Sequence, residues 1–135
     1  IVLDDDVVLD ALQRLRDYGV GIAFDDFGTG YASISLLRRY PLSRIKIDRS
    51  FVQGMMESTR DASVVRALVD MTRSFDLQTI AEGVETTQQR DNLRQLGCDE
   101  GQGYLFGVPM PAHTFSETFA IGRSGHWSGL QLNSA

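Results

Sequence analysis

A chain of 135 residues with 42% hydrophobic and 23% charged residues makes at most one ordinary soluble domain, large enough for a core. Its net charge of −5, with no run of Lys or Arg, excludes a partner held by its nucleic-acid backbone; a phosphate-bearing ligand has to be held by a metal or a few local donors. The single cysteine, Cys98, excludes an intrachain disulfide and suits a reducing compartment, and no apolar run reaches the length of a membrane span. The expected location is the cytoplasm. Ile1 opens no signal peptide and is not an initiating Met, so a piece of a longer chain is expected.

The first element is a helix over Asp4 to Tyr18. Asp4, Asp5 and Asp6 supply the cap and first-turn charge, Val8, Leu12 and Leu15 share one face, and Gly19 stops it. Val20 to Phe24 reads as a buried strand that runs into Asp25 and Asp26. Neighbouring side chains on a strand point to opposite faces, so a regular strand cannot present both acids together; the pair is expected where the strand breaks into loop. Two such charges call for a cation, and a divalent metal is the usual remedy; the plain alternative is a strand end followed by an Asx-turn.

A short helix over Ile34 to Tyr40 is closed by Pro41, and Arg44 to Asp48 alternates as a strand. A helix from about Arg60 to Phe75 carries an apolar stripe of Val64, Leu68, Met71 and Phe75, with Val65, Val69 and Thr72 beside it. Gln78 to Glu82 is a second apolar strand that ends in an acid. Thr86 or Thr87 caps a helix that runs to Leu96 and stops at Gly97. Glu100 to Phe106 reads as a glycine-broken strand, and a last helix covers about Thr114 to Ile121. The Gly- and Ser-rich segment 122–135 is expected to be loosely ordered.

Four strands alternating with helices imply a parallel sheet with crossover helices. Two architectures fit, an open doubly wound sheet or part of a (β/α)8 barrel, and both place function at the carboxyl ends of the strands. Those ends carry Asp25 and Asp26, then Lys46 and Asp48, then Glu82 with Glu85 beyond it, then Gln102. Singly, each has a structural explanation as a solvated face residue, cap, ion-pair partner or packed amide; the set together does not. It suits hydrolysis of a phosphate ester, with Asp25 and Asp26 binding divalent ions, Lys46 and Glu82 orienting water and stabilising charge, and Gln102 positioning by hydrogen bond. Nucleotide-binding glycine loops and the Gly-x-Ser-x-Gly nucleophile motif are absent, and His113 and His126 lie at no ligand spacing. A receiver domain also uses paired Asp and a Lys, but it needs a phosphoacceptor Asp on a strand between them, and Lys46 is on the very next strand here.

The segments Asp25-Asp26-Phe27-Gly28-Thr29-Gly30-Tyr31-Ala32-Ser33, Lys46-Ile47-Asp48, Ala81-Glu82-Gly83-Val84-Glu85-Thr86 and Gly97 to Gly107 resemble, in order and spacing, successive motifs of the EAL family of cyclic di-GMP phosphodiesterases from bacterial signalling proteins. The resemblance covers residue 1 to about Ile121. It implies the second half of a (β/α)8 TIM-type barrel in residues 1–121, hydrolysis of cyclic di-GMP to the linear dinucleotide, and Mg²⁺ or Mn²⁺ as cofactor. By position it makes Asp25, Asp26 and Glu82 metal-site carboxylates, Lys46 the lysine at the attacking water and Gln102 a hydrogen-bonding group of the water site. Glu85 becomes the glutamate that holds the Asp-Asp loop, and the loop to Ser33 lies near the family's dimer contact. The substrate-binding residues stay unassigned.

The Glu-Ala-Leu motif that names the family does not occur, nor do the Asn and Glu metal ligands that precede the Asp pair. A barrel of this type takes roughly 250 residues. The expectation is therefore self-association through unpaired half-barrel edges or the Asp25–Ser33 loop, or pairing with the missing N-terminal half, with little or no turnover by this chain alone. The other functional class that fits is a non-catalytic module that binds cyclic di-GMP or a protein partner.

Overall fold

The computed structural model describes residues 5–28 and 34–119, with side-chain surroundings through residue 117. Its elements are α1 (Asp5–Asp17), β1 (Ala23–Phe27), α2 (Ile34–Arg39), β2 (Arg44–Ile47), α3 (Arg49–Gly54), α4 (Thr59–Ser74), β3 (Gln78–Glu82), α5 (Thr87–Leu96), β4 (Glu100–Gln102) and α6 (Ala112–Phe119). The strands form one parallel sheet in the order β1-β2-β3-β4. A doubly wound sheet reverses its strand order at a switch point; an unbroken sequential order is that of a barrel wall.

The period-2 pattern decides which face is covered. Ile45 and Ile47 of β2 and Thr79 and Ala81 of β3 are buried on one face. Val52, Val65, Val69, Val84 and Leu93 complete that core from α3, α4, α5 and the loop after β3. On the other face Arg44, Lys46, Ile80 and Glu82 are only half-buried and Gln78 and Gln102 are exposed. The helices thus clothe one side of the sheet and leave a largely polar side, where the chemistry-bearing residues stand.

Several boundaries differ from the sequence reading. The strand read as Val20 to Phe24 starts at Ala23 and runs through both acids to Phe27. The strand read as Glu100 to Phe106 ends at Gln102, because the chain turns at Gly103, where the Phe106 amide donates to the Gly103 carbonyl at 3.0 Å. Helix α3 was not read from the sequence; six residues are too short for a periodic signal, although Asp48 caps it by accepting from the Ser50 amide at 2.9 Å. In α4 the deepest line is Val65, Val69 and Thr72, while Val64, Leu68, Met71 and Phe75 are half-buried. The stripe is rotated by one position because α4 packs on both β2 and β3. The helix read over Thr114 to Ile121 begins at Ala112; Ile121 and the segment 122–135 lie outside the described residues.

Helix α1 buries no residue. It is tied down by polar contacts instead: Arg39 pairs with Asp5 at 2.9 Å, and Arg16 donates to the carbonyls of Pro41 and Leu42 at 3.0 and 2.8 Å.

Candidate active site

The two adjacent acids reach one site through an irregularity in β1. Phe24 pairs with Ile45 and Phe27 with Ile47, so three steps on β1 face two on β2. The extra residue is a bulge, and Asp26 takes the left-handed conformation with φ 52° that Asp tolerates better than most side chains. A regular strand would have sent the two carboxylates to opposite faces. With the bulge, carboxylate oxygens of Asp25, Asp26 and Glu82 lie within 4.8 Å of one another.

Lys46 stands between these acids. Its Nζ donates to Asp25 Oδ1 at 2.8 Å and also pairs with Glu82 Oε1. It is carried there by register: Lys46 faces Ile80 on β3, one residue short of Ala81 and two short of Glu82. The hydrogen bond from Lys46 holds the Asp25 carboxyl below the usual carboxylate range, and the bonds to Asp25 and Glu82 push the Lys46 ammonium up. Both groups are therefore charged near neutral pH.

Gln102 is in register with Glu82 across β3 and β4, at the open end of the sheet. The structure thus gathers Asp25, Asp26, Lys46 and Glu82 in one cluster and sets Gln102 on the neighbouring strand end. Two acids stand apart from it. Asp48 is taken up at α3, with its carboxyl lowered by hydrogen bonds from Ser50. Glu85 lies beyond β3 and accepts from Gln53 Nε2 at 3.0 Å; residues 29–33 of the Asp-Asp loop lie outside the described residues.

Sequence reasoning missed Gln53 and Gln89. Gln89 is buried, and its Oε1 accepts from the amides of Glu85 and Thr86 at 2.8 and 3.0 Å, fixing the loop that follows Glu82. Its signal was present as Thr86-x-x-Gln89, a capping box that the structure forms in full. Gln53 belongs to the helix without a periodic signal.

The donor set fits a divalent cation of the hard class. All three groups that converge are carboxylates, two of them exposed and Glu82 half-buried, so oxygen ligands and room for water are both present. Lys46 shows that the pocket already accommodates positive charge beside Asp25 and Glu82.

Comparison with known proteins places this geometry. The EAL domain family model matches residues 1–109. The bifunctional diguanylate cyclase/cyclic di-GMP phosphodiesterase MucR of Pseudomonas aeruginosa is 48% identical over 109 residues, which are 81% of this chain and 16% of MucR. The solved PaMucR phosphodiesterase in complex with c-di-GMP superposes with a TM-score of 0.76 at 46% identity, covering 84% of this chain and 46% of that one. The manganese and cyclic di-GMP complex of Klebsiella pneumoniae BlrP1 gives 0.71 at 33% identity, covering 80% of this chain and 28% of that one. The chain spans 13% to 27% of the length of the curated relatives it matches. A family match over most of its residues, on four parallel strands in barrel order, makes this chain a member of the EAL domain family.

Proposed function

We propose that these residues supply the carboxyl-terminal part of the active site of a divalent-metal-dependent phosphodiesterase that opens one phosphodiester bond of cyclic di-GMP to give the linear dinucleotide. The observation that carries the reading is the convergence of Asp25, Asp26 and Glu82 around Lys46 at the strand ends of an EAL fold. The names of MucR and BlrP1 support the substrate, since both proteins are named with cyclic di-GMP.

In this reading Asp25, Asp26 and Glu82 hold the cation, Mg²⁺ or Mn²⁺. When bound, it supplies a Lewis acid that lowers the pKa of water and offsets phosphate charge. The chain's own groups do the rest. Lys46, held charged by its two acid partners, stabilises negative charge that grows on the phosphate in the transition state. Gln102, one strand over from Glu82, orients water by hydrogen bonding. Glu85, braced by Gln53, keeps the loop after β3 in place and supports the Asp-Asp loop.

β1 and β4 each pair on one side only among the described residues, which supports self-association through these edges or through the Asp25–Ser33 loop. A stable monomer in sedimentation would remove that part of the reading. The free Cys98 supports a cytoplasmic setting. Among the described residues no helix is long and apolar enough to cross a membrane.

The test is product chromatography of cyclic di-GMP incubated with Mn²⁺ and a protein carrying these residues within a whole EAL domain. The expected result is linear dinucleotide from the unaltered protein and loss of product in Asp25→Asn and Glu82→Gln. Activity that survives both substitutions overturns the residue roles, and no product from the unaltered protein overturns the phosphodiesterase reading. The 135-residue chain alone is expected to show little or no turnover.

A further inference from the structure

On the helix-covered side of the sheet, away from the carboxylate cluster, a groove of about 440 Å³ runs between α4 and α5. Its floor is apolar: Met55, buried at the end of α3, with Ala62 of α4 and Leu96 of α5. Thr59 and Ser63 on α4 and Asn92 and Gln95 on α5 form a neutral polar rim. Arg66 supplies the one charge, and no acid lines the groove, although the chain carries 18 acidic side chains against 13 basic ones. None of these residues belongs to the site above.

The rim is held in place without being used up. Ser63 donates its hydroxyl to the Thr59 carbonyl at 2.7 Å. Asn92 Nδ2 donates to Met56 Sδ at 3.1 Å, which leaves the Asn92 carbonyl oxygen and a second N–H for another partner. The Gln95 amide and the Arg66 guanidinium make no hydrogen bond or ion pair among the described residues.

This composition narrows the ligand. A cation would meet Arg66 with no acid to offset the repulsion. A wholly apolar molecule would cover the guanidinium and the amides without giving them partners. A phosphate monoester brings close to two negative charges against a single cation. A carboxylate brings one, and its two oxygens match the guanidinium fork. The thioether and aliphatic floor calls for a hydrocarbon body behind that acid, and the volume lies in the range of roughly 300–1,000 Å³ usual for small-molecule sites.

We propose that the groove between α4 and α5 binds a small amphiphilic carboxylate, with its acid on Arg66 and Gln95 and its hydrocarbon body over Met55, Ala62 and Leu96. The site stands independently of the phosphodiesterase reading.

Nuclear magnetic resonance titration of a ¹⁵N-labelled whole EAL domain that carries these residues, with octanoate, octanamide and octyl phosphate as probes, tests it. Octanoate should give saturable shifts in the amides of α4 and α5 and bind roughly tenfold more tightly than octanamide, the scale of one charge-assisted hydrogen bond. Octyl phosphate should bind no more tightly than octanoate. Arg66→Gln should remove the advantage of octanoate and leave octanamide unchanged. Ser63→Trp fills the groove from the exposed side of α4 and should abolish binding of both, with the circular dichroism spectrum unchanged in each variant. No saturable shift in the unaltered domain, equal affinity for acid and amide, or octanoate affinity undiminished in either variant would overturn the site. Tighter binding of octyl phosphate would overturn the choice of a carboxylate. None of these outcomes bears on the phosphodiesterase reading.

Discussion

The Lys46 ammonium lies 2.8 Å from Asp25 Oδ1 and pairs with Glu82 on the other side, so one cation spans acids from two strands that are not neighbours. The lysine thereby offsets repulsion within the acid cluster and, in the proposed function, also fixes a positive charge at the reacting centre. Lys46→Met separates these roles. In a whole domain, hydrolysis of cyclic di-GMP should fall by roughly 10²- to 10³-fold, the cost of losing one preorganised group that stabilises transition-state charge. Mn²⁺ affinity should hold or rise, because a competing cation has gone. A fall in Mn²⁺ affinity that accounts for the whole activity loss would make Lys46 structural.

Gly103 turns the chain directly after Gln102. A Cβ there would overlap the backbone of Val84, whose amide donates to the Gln102 carbonyl at 3.0 Å. Backbone cannot move aside as a flexible side chain can. Gly103→Ala should therefore lower stability by about 2 kcal/mol or more, in the range of overpacked cores. Urea denaturation measures it, and an unchanged midpoint would show that the turn has slack.

The capping box at the start of α5 links stability to the site loop. Thr86 Oγ1 accepts from the Gln89 amide at 3.2 Å, while Gln89 Oε1 accepts from the amides of Glu85 and Thr86. Thr86→Ala should cost about 1 kcal/mol, the usual cost of removing a cap. Gln89→Ala should cost more, since it leaves amides in the loop after Glu82 without their acceptor. Thermal melts of the two variants give the order, and equal costs would contradict it.

Cys98 supplies the pH dependence. Burial pushes its thiol from 9.0 up to about 11. The folded state thus keeps the proton while the unfolded chain releases it. The contribution is fully present below pH 9 and is lost as pH rises toward about 11. About two pH units correspond to at most ~3 kcal/mol. Urea midpoints between pH 8 and 11 should fall in the unaltered chain and fall less in Cys98→Ala. The native thiol should also react slowly with a disulfide reagent at pH 8 and promptly once unfolded; prompt native reaction would contradict its burial.

Much of this site was legible because strand alternation and strand-end acids are written locally. Lys46 beside Ile45 and Ile47, and Glu82 after an apolar run, declare both a strand and the side on which its polar residues stand. The sequence also called for a break in the strand at Asp25 and Asp26 so that both could serve one site; what it could not show was that the break is a bulge inside the strand. Period-2 reasoning sets them on opposite faces, and the bulge that reunites them is a tertiary accommodation to β2 with no residue signature beyond an Asp that tolerates positive φ. Helix α3 was hidden for a different reason: six residues do not complete two turns, so Arg49 and Gln53 had no periodic pattern to carry them. The stripe on α4 was found but set one position off, since both candidate lines are apolar and only packing on the sheet selects Val65, Val69 and Thr72.

Asp25, Asp26 and Glu82 as ligands of a divalent cation are tested most directly by manganese binding to a whole EAL domain that carries these residues. Electron paramagnetic resonance of free Mn²⁺ should show saturable binding, displaced by Mg²⁺, that weakens at least tenfold in Asp25→Asn and in Glu82→Gln while the circular dichroism spectrum is unchanged. Binding that is absent in the unaltered domain, or that survives both substitutions, would contradict the assignment of these three residues.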